Sequence, residues 1–119
     1  MSDGLVTAVD ITGQAALDAL LASTPALLLY LHAPDCGICR VLWPRLREQL
    51  GEAFPQLVFA RIDTAAHPDL AAGLMVHSLP AVLLYFEGHE HRRYAHAFGL
   101  NEIGAAIGRP YALLFETDD

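Results

Sequence analysis

The chain has 119 residues, 54% hydrophobic and 18% charged, which is ample apolar side chain for one packed core and too little charge for a disordered chain. With 14 Asp and Glu against 7 Lys and Arg, the formal charge is −7; a surface of that sign repels phosphate backbones and anionic lipid and argues against nucleic-acid and membrane-surface roles. The longest apolar run is too short to span a bilayer, and Met1-Ser2-Asp3-Gly4 has no character of a secretory signal, so the expectation is a soluble cytoplasmic protein.

Leu5 to Val9 reads as a short strand, and Thr12 as the N-cap of a helix with Leu17, Leu20 and Leu21 on one face. Ala26 to Leu31 is continuously apolar, as in a strand buried on both faces of a sheet. From Cys36, the residues Cys39, Leu42, Trp43, Leu46 and Leu50 recur at helical spacing, and Pro44 within that pattern predicts a kink. Leu57 to Ile62 is a further strand, and Pro68 fits the first position of a helix with the stripe Leu70, Ala71 and Leu74. Ala81 to Phe86 is again a buried strand. Glu87-Gly88-His89 then signals a turn into a more exposed strand, Arg92 to Phe98.

Asn101 to Ile107 is the last predicted helix, weakened by Gly104 and Gly108 and ended by Arg109-Pro110. The pentad Tyr111 to Phe115 is expected to fold back onto the sheet or a helix, with a dimer contact as the other reading. The acidic end, Glu116 to Asp119, is expected to be loose. Alternation of strands and helices, without repeats or linkers, implies one unit with helices on both faces of a sheet.

Both cysteines lie in Cys36-Gly37-Ile38-Cys39, between a buried strand and the longest helical pattern. A cysteine at a helix N-terminus meets unpaired N–H groups and the positive end of the dipole, which stabilise a thiolate, and only the thiolate attacks disulfides. A second thiol one turn on can close the ring and release a mixed disulfide. Gly37 is read as permitting a tight approach and Ile38 as apolar cover. The competing reading is a pair of structural thiols, with Cys39 simply part of the core stripe.

The stretch from Leu27 to Arg40 resembles the central strand, active-site loop and helix of the thioredoxin family, and Pro44 is similar to the proline that kinks that helix. Val76 to Gly88 resembles the family's second signature, a cis-proline before a strand and a glycine turn; Phe98-Gly99 matches the glycine near the last strand. The resemblance implies an α/β, thioredoxin-like fold: a central mixed β-sheet flanked by helices on both faces, in a single domain over residues 1–119. Its core would run from about 10 to 107, with 109–119 as a C-terminal extension. It further implies a thiol–disulfide oxidoreductase in which Cys36 attacks and Cys39 resolves. Leu79 and a cis Pro80 would bind an extended substrate by strand addition. His32, Asp35, Gly37 and Ile38 would be neighbours of the dithiol. The implied partners are protein disulfides and an unidentified reductase, with no organic cofactor and no metal, in a monomer or weak dimer.

Five positions depart from the family pattern. Tyr30 stands where thioredoxins carry a buried aspartate, and Phe59 where they carry its lysine. Losing both together avoids stranding one buried charge, but leaves proton removal from the resolving thiol to water, Tyr30 or a nearby histidine. Asp35 and His32 replace two tryptophans; the first would raise the Cys36 pKa and a protonated His32 would lower it. Ile38 replaces the proline that makes such a dithiol strongly reducing. The alternative function is therefore a binding or chaperone-like accessory module with an idle dithiol. Cys36, Cys39, His32 and His77 formally make a zinc ligand set, but their spacing does not fit a zinc module. His89, His91 and His96 are read as solvated turn and edge residues.

Overall fold

The computed structural model describes residues 8–116. Five strands, β1 (Ala8–Asp10), β2 (Ala26–His32), β3 (Val58–Asp63), β4 (Ala81–Phe86) and β5 (His89–Ala95), form one sheet in the order β1-β3-β2-β4-β5. β1, β3 and β2 run parallel, whereas β4 is antiparallel to both β2 and β5. The helices are α1 (Gln14–Ser23), α2 (Gly37–Ala53), α3 (Pro68–Gly73) and α4 (Leu100–Phe115).

The period-two geometry of strands divides the apolar side chains between two cores. Ala26, Leu28 and Tyr30 of β2, with Phe59, Val82 and Leu84, meet Trp43, Leu46 and Leu50 of α2 and Ile103, Ile107 and Tyr111 of α4. Leu27, Leu29 and Leu31, with Ala60, Ile62 and Leu83, meet Leu17 of α1 and Leu70 of α3. β2 is thus covered on both sides, which is why its sequence is continuously apolar. Among the described residues, no helix is long and apolar enough to cross a membrane.

Several boundaries differ from the sequence reading. Of the expected strand from Leu5 to Val9, the part before residue 8 lies outside the described residues, as does the acidic tail beyond 116. Thr12 does not cap α1: the cap is Gly13, which makes no side-chain bond. β5 begins three residues earlier than predicted because Glu87 and Gly88, with φ of 55° and 81°, form a two-residue turn. Two positive φ values are what a tightly connected, right-twisted hairpin requires. β5 is also a polar edge strand, so its first half carries no apolar signal.

Pro110 does not end the last helix; α4 continues through it to Phe115. Tyr111 explains why. Its ring packs between Phe54 and Phe115 at centroid distances of 5.0 and 4.7 Å, and its hydroxyl accepts the Gln56 N–H at 2.9 Å. The pentad folds back onto the core through Tyr111, whereas Leu113 is exposed. Tertiary packing of this kind outweighs one lost helical hydrogen bond and the proline's clash, about 3 kcal/mol.

Candidate active site

The site begins where β2 hands over to α2. The Cys36 N–H donates to the Ala33 carbonyl at 3.1 Å, closing a turn over Pro34 and Asp35, both exposed. Cys36 is the N-cap of α2, with extended backbone, and its Sγ accepts the Cys39 N–H at 3.2 Å. One of the helix's orphan donors is therefore aimed at the leading sulfur, beside the positive end of the dipole, and both favour a thiolate there once the pair is reduced. Cys36 and Cys39 are joined in a disulfide with Cα atoms 5.3 Å apart. Cys36 is half-buried, while Cys39 is 2% exposed among core side chains.

Two expectations about the intervening residues need correction. A Cβ on Gly37 would meet no atom within 4 Å, and its φ is not positive, so tight approach does not require the glycine. Ile38 is 67% exposed and gives no cover to the sulfurs. With Val41, Leu42 and Arg45 it instead lines a shallow apolar depression beside the dithiol.

The Leu79–Pro80 peptide bond is cis. The antiparallel register, Leu31 opposite Ala81, sets Pro80 at the end of the sheet where β2 turns toward Cys36. Pro80 is buried and its carbonyl accepts the His96 N–H at 3.0 Å. Leu79 is half-buried and packs against both cores.

On the inner side of the dithiol, Tyr30 is 1% exposed and its hydroxyl donates to the Cys39 carbonyl at 2.9 Å. Burial pushes the phenol up to about 12. Its ring lies 5.0 Å from Trp43, which meets Phe59 edge-on at 6.2 Å. Tyr30 and Phe59 thus fill with aromatic packing the places where an acid and a lysine were missed. A cavity of about 260 Å³ opens beside them, lined by Tyr30, His32, Cys39, Arg40, Trp43 and Arg61.

His32 is half-buried, its carbonyl held by the N–H and hydroxyl of Thr64 at 2.8 and 3.1 Å. Burial, then the Arg61 charge, lower its pKa below the usual imidazole value, with Asp63 and Asp10 opposing. The fold therefore disfavours the cationic ring, and with it the cationic help to Cys36 that the sequence reading allowed for.

Arg61 was missed as a functional residue because it sits inside an apolar strand run. The available signal was the register, which sets Arg61 opposite Tyr30 on β2. Its guanidinium lies over Trp43 at 5.1 Å and pairs with Asp10 at 2.9 Å. His77 is exposed and lines a different cavity, with Thr64, Pro68 and Leu79. Among the described residues, no three His, Cys, Asp or Glu side chains group to hold a metal ion. His89 and His96 are exposed, and His91 packs edge-on against Phe86 at 5.4 Å.

A family model described as Thioredoxin matches residues 8–109. The chain belongs to the thioredoxin family. The mitochondrial thioredoxin of Mus musculus is 32% identical over 71 residues, 60% of this chain but 43% of that protein. The thioredoxin of Mycobacterium bovis is 30% identical over 80 residues, 67% of this chain and 69% of that one. The chain therefore spans less than half the length of the mouse relative. Among solved structures, oxidized mitochondrial thioredoxin 3 of Saccharomyces cerevisiae superposes with a TM-score of 0.76 at 23% identity, covering 83% of this chain and 92% of that one. A mutant thioredoxin of Halobacterium salinarum gives 0.75 at 24% identity, covering 84% and 87%. At those identities the likeness is one of fold, and the fold is the thioredoxin fold: a mixed five-stranded sheet flanked by helices.

Proposed function

We propose that this thioredoxin-family chain is a thiol–disulfide oxidoreductase acting on protein disulfides. The observation that carries the reading is the Cys39 N–H on Cys36 Sγ at the cap of α2, with the second sulfur already in bonding position. In the forward direction the Cys36 thiolate attacks a substrate disulfide, and one substrate sulfur leaves as a thiol after taking a proton. The Cys39 thiol then loses its proton and attacks Cys36 Sγ, forming the observed disulfide and releasing the second substrate sulfur. Two electrons pass from the protein dithiol to the substrate. Leu79 and Pro80 are assigned the substrate strand, supported by their position at the end of β4 beside that loop. Leu79 would offer main-chain hydrogen bonds, a sequence-tolerant mode of recognition.

The partner proposed to restore the dithiol is a thioredoxin reductase. A relative in Mycobacterium leprae, 29% identical over 91 residues and named a bifunctional thioredoxin reductase/thioredoxin, carries both names in one chain. A reducing, cytoplasmic setting is proposed because the sequence has 2 cysteines, both in the motif, and neither serves as a scaffold bridge.

The test is turnover of a disulfide-bonded protein substrate under dithiothreitol, with Cys39→Ser, reduced and then freed of dithiothreitol, mixed with the same substrate in parallel. Catalysis by the unaltered protein and a trapped substrate adduct on Cys36 in Cys39→Ser support the reading. No turnover and no adduct leave a thioredoxin-fold binding module with an idle dithiol.

A further inference from the structure

Resolution requires the Cys39 thiol to lose a proton, yet Cys39 lies among apolar side chains, where burial disfavours the thiolate. Tyr30 touches the residue but is a poor acceptor, since its hydroxyl already donates to the Cys39 carbonyl and the phenol keeps its proton to about pH 12. Phe59 has nothing to titrate. Arg40 and Arg61 carry permanent charge and no acceptor. Of the residues that line the cavity with Cys39, this leaves one side chain able to take a proton near neutrality, His32.

His32 is also built into place. Thr64 grips its carbonyl with two hydrogen bonds, and its ring stacks on Tyr30 at 6.2 Å. The charged groups acting on it come from one side of the sheet: Arg61 and Asp63 from the adjacent β3, and Asp10 from β1 beyond it. From α2, Arg40 shares the cavity wall with Cys39. A volume of about 260 Å³, with His32, Arg40 and Arg61 in its wall, is ample for water, at roughly 30 Å³ per molecule.

We propose that His32 is the base of the resolving step, receiving the Cys39 proton through solvent in the cavity it shares with Tyr30 and Arg61. The proton passes from Cys39 Sγ to the imidazole by way of water. The Cys39 sulfur attacks Cys36 Sγ, the bond between Cys36 and the substrate sulfur breaks, and the departing thiolate is reprotonated. Charge is conserved, and the imidazolium afterwards gives its proton to solvent. Burial first, and the charge of Arg61 after it, favour the uncharged form of His32 before the step; Arg61 is itself paired with Asp10.

The inference rests on the oxidoreductase reading, and the experiment separates the two. Reduced protein is mixed with dithiobisnitrobenzoate, and the two thiolate releases are followed from pH 5 to 10. The first reports attack by Cys36, the second resolution by Cys39. For the unaltered protein the resolution rate is expected to fall as pH drops through a titration below 6.5. His32→Gln and His32→Asn should lose that inflection and resolve at least tenfold more slowly at pH 7, consistent with the roughly 10²-fold or greater effect of a placed base. Their rates should converge on the unaltered protein's above pH 9, where hydroxide replaces the base; a merely structural defect would persist there. An unchanged resolution profile in either folded variant, or no inflection in the unaltered protein, overturns the role of His32 alone. Failure of the first release in the unaltered protein overturns the oxidoreductase reading with it.

Discussion

Tyr30→Phe removes one buried oxygen and nothing else, and its consequence can be worked out from its surroundings. The hydroxyl donates to the Cys39 carbonyl, just ahead of Pro44 in α2, at a site 1% exposed. Pro44 withholds its N–H from Arg40, four residues earlier, so the Cys39 carbonyl is not the acceptor it leaves unpaired. A neutral hydrogen bond contributes about 1 kcal/mol net. The ring's packing on Trp43 at 5.0 Å is retained. The expected loss is therefore about 0.5–1.5 kcal/mol in urea unfolding of the disulfide form, with the m-value unchanged. Resolution of a mixed disulfide should keep its pH midpoint, because the phenol is not the proton acceptor. A stability change within about 0.3 kcal/mol, the scatter of additive surface changes, would refute the assignment of that hydrogen bond. Loss of the pH inflection would refute the division of labour between Tyr30 and His32.

Three residues, Met75, Glu87 and His96, carry side chains at positive φ, where the backbone favours glycine or asparagine. Met75, at φ 56° and 69% exposed, should stabilise the fold by about 0.5–1 kcal/mol when changed to glycine, since relief of left-handed strain exceeds the added freedom of the unfolded chain; a loss in thermal unfolding contradicts this. Glu87→Asn should likewise gain a few tenths to 1 kcal/mol, the turn at Glu87 and Gly88 being of the kind asparagine-glycine favours. Because the fold lowers the His32 pKa, the unfolded chain binds that proton more readily, so stability should fall as pH drops below about 6.5 and level off beneath the folded value. His32→Gln should remove that component; an identical pH dependence in the variant contradicts the shift.

The parts of this molecule legible in its sequence are those where local and global preferences agree. β2 and β4 are apolar on both faces because helices cover both, and Pro68 opens α3 because its missing N–H is not needed there. Pro110 and the start of β5 were misread for the opposite reason. Tyr111 holds α4 together through contacts with Phe54 and Gln56, some 55 residues earlier, and the edge strand draws its hydrogen bonds from β4 rather than from its own pattern. At the site, Cys36 and Cys39 were readable because their spacing is itself the chemistry. Arg61 was not, since its meaning comes from strand register, and the order β1-β3-β2-β4-β5 is not carried by periodicity.

The most direct measurement of the central assignment is alkylation of the freshly reduced protein by iodoacetamide across pH, read cysteine by cysteine in the mass of the peptides. Cys36 should label first, with a midpoint below the roughly 8.5 of an ordinary thiol, while Cys39 stays protected until well above it. Equal labelling at an ordinary midpoint, or Cys39 reacting ahead of Cys36, would contradict a nucleophile poised at the head of α2.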